Sequence, residues 1–102
     1  MNIEKYPIEV TLFKDKEMIY YSQQDVFHVL ERALRRSKLP LYFTQGFNPR
    51  VKISFLDGLK LGIEGEIKTI FYFTEKTSLE ELKKYLDQQL PEGLKIVKSV
   101  SE

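Results

Sequence analysis

Ser22, Asp25 and His28 follow one another at three-residue intervals, and a hydroxyl, a carboxylate and an imidazole are the parts of a hydrolytic triad. Their setting points elsewhere. Ser22-Gln23-Gln24-Asp25 reads as a capping-box variant, with the Ser hydroxyl accepting the backbone N–H three residues on and the carboxylate reaching back. His28 falls on an outward basic stripe, and no Gly-x-Ser-x-Gly turn supplies an oxyanion hole. Metal chemistry has no better footing. The chain has no Cys and one His, so thiolate-bound zinc, iron–sulfur clusters, cysteine nucleophiles and disulfides are excluded. The carboxylates are scattered over helix ends and turns without calcium-loop spacing. Gln45-Gly46 and Gly62-Ile63-Glu64-Gly65 lack the lysine of a phosphate loop. The expectation is a chain with no cofactor, no metal and no independent enzyme activity, which works by binding.

Two groups of residues suit binding. The first is the run Gln45, Gly46, Phe47, Asn48, Pro49 and Arg50. Gly46 tolerates positive φ and Pro49 drives Asn48 away from helix, so a break in the chain is expected there. Two readings stay open: a kink or wide bulge in a long hairpin strand with Phe47 plugging the end of the core, or a rigid loop offering Gln45, Asn48 and Arg50 to a partner. The second group is His28, Arg32, Arg35 and Arg36, which an ideal helix gathers on one side. Arginine forks suit phosphate or carboxylate, and the plain alternative is a solvated helix face that includes Glu31.

The elements that must hold these groups follow from periodicity. Ile8, Val10 and Leu12 alternate with Glu9, Thr11 and Phe13, the pattern of a half-buried strand. Lys14 to Glu17 read as a charged turn, and Met18 to Tyr21 as a short extended run. From the Ser22 cap to about Lys38 the spacing predicts a helix with Val26, Leu30 and Ala33 inward and Phe27, Val29 and Leu34 on its shoulders. Leu41 to Thr44 is extended, Val51, Ile53 and Phe55 alternate as a strand, and Asp57-Gly58 turns. Lys68 to Thr74 is a strand dense in Ile, Phe and Tyr. Thr77 or Ser78 caps a second helix with Leu79, Leu82, Leu86 and Leu90 as its stripe, broadened by Tyr85. Pro91-Glu92-Gly93 stops it, and Leu94 to Val100 is a final strand. The order β-α-β-β-α-β with right-handed crossovers predicts an α+β, ferredoxin-like sandwich: a four-stranded antiparallel sheet with both helices on one face. The opposite sheet face would carry Thr11, Lys52, Ser54, Lys68, Ile70 and Tyr72, open either to RNA bases or to a second copy in a homodimer.

A chain of 102 residues fits one domain, here taken as residues 1–102, and its 42% hydrophobic content supports a core without staples. Sixteen basic residues against fifteen acidic ones give a net charge of +1, so any nucleic-acid role must come from a local patch. The start shows no apolar leader and no stretch is long enough to span a bilayer, which makes the cytoplasm the expected compartment and a membrane partner unexpected.

Three segments carry a resemblance: Tyr21-Ser22-Gln23-Gln24-Asp25 leading into Glu31-Arg32-Ala33-Leu34-Arg35-Arg36; Leu39-Pro40-Leu41 through Thr44-Gln45-Gly46-Phe47-Asn48-Pro49-Arg50 to Ile53-Ser54-Phe55; and Leu61-Gly62-Ile63-Glu64. Together they resemble the bacterial, radical-SAM-linked domain of unknown function 2344, over about residues 10 to 100. Gln45 to Pro49 is the most specific stretch. The resemblance implies an accessory domain that partners a radical SAM protein, by protein contact or by helping to deliver substrate; RNA binding in ribosome or tRNA metabolism is the second expectation. The sequence departs from the family pattern at Gln23, where the family has His, at Val51, where Pro is common, and in Ile70-Phe71-Tyr72-Phe73, which lacks the usual Asp. The family domain is usually longer, so this chain reads as a short version, and any activity resting on those positions would be lost here.

Overall fold

The structure, a computed structural model, describes residues 4–101. Strand β1 spans Tyr6–Lys14, helix α1 Gln23–Arg36, strand β2 Ile53–Phe55, strand β3 Gly65–Phe73, helix α2 Leu79–Leu86 and strand β4 Leu94–Ser101. The strands form one antiparallel sheet in the order β2-β3-β1-β4. This is the α+β, ferredoxin-like arrangement expected from the element order.

Alternation decides which side chains enter the core. Ile8, Val10 and Leu12 of β1 lie opposite Phe71, Thr69 and Ile67 of β3, and all six are buried. Val26, Leu30, Ala33 and Leu34 of α1 and Leu82 and Leu86 of α2 join the same cluster. Burying one such aliphatic side chain contributes about 1.5–3 kcal/mol, so this one-sided layer outweighs any local propensity. Both helices thus cover one sheet face. Ser22 caps α1 as the sequence predicts: its hydroxyl accepts from Asp25 N–H at 3.1 Å, and the Asp25 carboxylate accepts from Ser22 N–H at 3.1 Å. That backbone donor holds the Asp25 carboxyl below its ordinary range.

Three expectations change. Met18 to Tyr21 is not extended; Lys16–Tyr20 is a short 3-10 helix that tucks Met18 into the core. Gly93, at φ +95°, permits this, because a Cβ there would stand 2.7 Å from the Asp15 carbonyl oxygen. Lys14 is not part of an exposed turn. It ends β1 on the parity of Leu12, so it points to the core side and is only 3% exposed, donating to the Lys60 carbonyl. Burial alone lowers its pKa. The helices are also shorter than expected, with α1 stopping at Arg36 and the second giving way to a 3-10 turn over Asp87–Gln89; Leu79 stays largely exposed.

Candidate functional site

The chain reaches the edge of the sheet twice around one excursion. Leu41 bridges Phe73 of β3, Tyr42 N–H donates to the Tyr72 carbonyl at 3.1 Å, and the chain then leaves the sheet. It returns with Phe43 bridging Val51 and Lys52 N–H donating to the Tyr42 carbonyl at 3.0 Å, then enters β2. Residues 45–49 are therefore the tip of a small hairpin-like projection inserted into the edge strand, which is how a protein re-aims a short segment away from its sheet.

The neck of the projection is closed. Thr44 N–H donates to the Arg50 carbonyl at 2.8 Å and Arg50 N–H donates to Thr44 Oγ1 at 3.1 Å. Gly46, at φ +139°, takes the turn. The projection is then braced against α1 by a residue 19 positions earlier. Arg50 donates through Nε to Glu31 Oε2 at 3.0 Å and through Nη2 to Glu31 Oε1 at 2.8 Å, a two-pronged fork, and Val51 N–H donates to Oε2 at 3.3 Å. Glu31 is 7% exposed, whereas the Arg50 side chain is 47% exposed. The Arg50 donors pull the Glu31 carboxyl below its ordinary pKa against the opposing cost of burial. Arg50 also lies over the Phe27 ring at 5.6 Å, and its Nη2 stands 3.4 Å from His28 Nδ1.

What remains free is the tip. Gln45, Gly46, Phe47, Asn48 and Pro49 are all exposed, and Phe47 reaches 104% of its reference area. It does not plug the core; the projection carries it into solvent. A fully wetted phenyl ring on a braced neck is a preformed apolar contact, available without ordering a loop first.

The arginine ridge is not one stripe. Arg35 turns toward the projection, 3.7 Å from Glu31 and 5.2 Å from the Phe43 ring. Arg32 and Arg36 line a shallow cleft on the other flank of α1 with Tyr21, Ala33, Gln89 and Pro91. Glu31, read as part of the solvated face, is the residue that joins the two candidate groups. Only Gln45, Asn48 and Phe47, with the backbone of Gly46 and Pro49, are left unengaged at the tip, while Arg50 is structural at the base.

A separate cleft of about 570 Å³ opens beside Lys14, walled by Leu59, Ile63 and Ile67 with Asp57, Glu64 and Glu66 at its edge. No group of three His, Cys, Asp or Glu residues among the described residues is placed to hold a metal ion, and no described helix is long and apolar enough to cross a membrane. Comparison with curated proteins and with solved structures returned no match. The family described as "Uncharacterized protein conserved in bacteria (DUF2344)" matches residues 8–101, from the first buried residue of β1 to the end of β4, and the chain belongs to that family.

Proposed function

We propose that this chain is a non-catalytic accessory domain that docks onto a partner protein through the tip formed by residues 45–49, with Phe47 as the apolar anchor. The supporting observation is the pairing of a fully exposed Phe47 with a neck locked to α1 by Glu31 and Arg50. An exposed phenyl ring contributes nothing to this domain's own core, and large aromatic anchors on rigid loops dominate binding energy at protein interfaces. The resemblance named above makes a radical SAM protein the partner, with substrate delivery as the second part of the role, in the cytoplasm. Ser22 and Asp25, the hydroxyl and carboxylate of the triad-like spacing, are engaged in the helix cap, which supports the non-catalytic reading.

RNA binding through the ridge and this loop has less support, because Arg35 and Arg50 both face the Glu31 carboxylate and the ridge divides between two flanks. The test is affinity purification from the native host with the wild-type chain and with Phe47→Ser. An iron–sulfur protein recovered with the former and lost with the latter, at equal thermal stability, is the expected result. Equal recovery by both chains refutes the assignment to this tip.

A further inference from the structure

We propose that the sheet face opposite the helices binds single-stranded nucleic acid, an assignment separate from the docking tip and independent of it. Odd-numbered residues of β1 point to this face, and the register sets Pro7, Glu9, Thr11 and Phe13 beside Tyr72, Ile70, Lys68 and Glu66 of β3. Neither helix covers it. The chain as a whole carries a net charge of only +1, yet this face concentrates lysine. Lys68 and Lys98 flank Thr11 on the two neighbouring strands, and Lys95 lies opposite Phe13. Lys52 and Lys5 stand over Tyr72 at 5.2 and 6.0 Å. Against these five lysines the paired strands place Glu9 and Glu66 on the same face.

The aromatic component is interleaved with the charge. Each ring on this face has an ammonium above it: Lys5 over Tyr42 at 5.7 Å, Lys52 over Tyr72, and Lys95 over Phe13 at 5.7 Å. Exposed cation–π pairs of this kind contribute only about 0.5–1 kcal/mol. A base stacking on the same ring contributes about 1–3 kcal/mol, and the displaced ammonium is then beside the phosphate that follows it. Ser54 Oγ and the Tyr72 hydroxyl, 3.1 Å apart, fix the ring's position and add polar groups for a sugar or a base edge. Thr11 stands between Lys68 and Lys98 on the two neighbouring strands and is 2% exposed, as expected where long lysine stems lie across a short side chain. Such a surface suits unstacked bases, which a duplex does not offer. It suits a second copy of the chain less well, because two-fold self-pairing would set one lysine array against the other.

The experiment is fluorescence anisotropy of a labelled single-stranded 12-mer RNA of mixed sequence with the purified full chain, the same RNA as a duplex serving as competitor. Expected is binding at low salt in the roughly 10⁻⁴ to 10⁻⁶ M range, with a log–log salt slope of about −2 to −3 for three or four neutralised phosphates. The double variant Lys52→Glu/Lys68→Glu weakens binding at least about tenfold and Tyr72→Leu weakens it several-fold. Arg32→Glu/Arg36→Glu leaves it within about twofold. Amide chemical shifts of the wild-type chain supply a readout that does not depend on any variant folding, and should move on β1 and β3. No binding at low salt, an equal loss in the Arg32/Arg36 variant, shifts confined to α1, or a dimer that Tyr72→Leu abolishes would each overturn the assignment. None of these outcomes bears on partner capture by Phe47.

Discussion

Glu31→Ala is the sharpest test of how the projection is held. The carboxylate accepts two hydrogen bonds from Arg50 and a third from Val51 N–H, all at 3.3 Å or less. Bonds to a charged group are worth about 1.5–3 kcal/mol. Arg50 is half exposed and water will re-solvate its guanidinium, so the ion pair itself adds little. Val51 is different: the residue is 2% exposed, and its N–H loses a partner that water cannot easily replace, at about 1–3 kcal/mol. The expected loss is therefore about 1–3 kcal/mol, or roughly 4–24 °C in Tm for a domain of this size. Arg50→Met, which leaves the carboxylate free to keep Val51, should cost clearly less than Glu31→Ala. The sign with pH follows from the direction of the shift. The folded Glu31 carboxyl titrates below its ordinary 4.5, so its contribution is present above that value and is lost as pH falls through the lower native one. Urea midpoints of wild type and Glu31→Ala should therefore converge in acid. A loss below about 0.5 kcal/mol, typical of an unremarkable surface change, or a gap that does not narrow with acid, would refute the brace.

Other outcomes are expected from the same structure. Phe47→Ser should leave Tm within the effect of about 0.5 kcal/mol, because the ring touches water on every side; calorimetry checks this directly. Gly93→Ala combines a positive φ with a Cβ 2.7 Å from the Asp15 carbonyl oxygen and 3.1 Å from Met18 Cβ, and should cost about 1–3 kcal/mol in chemical denaturation. Ser22→Ala removes the α1 cap at a cost of about 1 kcal/mol. Lys14 has its folded pKa lowered by burial, so the unfolded chain binds more protons as pH approaches 10.5 and stability should rise with pH there. Lys14→Met should abolish that rise, as read from urea midpoints on either side of the window.

How much of this was legible in the sequence depends on the range over which each signal acts. The β1 face, the α1 stripe and the Ser22–Asp25 cap are set by residues at most four apart, and period-2 and period-3.6 patterns expose them without any tertiary knowledge. The 3-10 helix at Lys16–Tyr20 escaped because what stabilises it lies far away: Asp15 N–H donates to the Gly93 carbonyl, and only the glycine at 93 leaves room for the turn. Lys14 was readable in principle. Carrying the β1 alternation one step past Leu12 places it inward, whereas its charge alone points to a turn.

The same conflict, resolved the opposite way, explains the candidate site. The sequence leaves Phe47 open between a plug at the end of the core and part of an exposed loop, and the backbone decides for the loop, because a neck closed between Thr44 and Arg50 leaves the residues beyond it no route back to the sheet. Glu31 on a helical wheel borders both faces of α1, and nothing local distinguishes a solvated glutamate from one that anchors a loop. Its partner stands 19 residues on, within the very run that was singled out for binding. Arg50 is thus oriented by the same fork that makes the loop rigid, with about half of its side chain still exposed beside the tip. On the docking proposed for the tip, substitutions at Phe47 should change partner capture at constant stability, while those at Glu31 should change both.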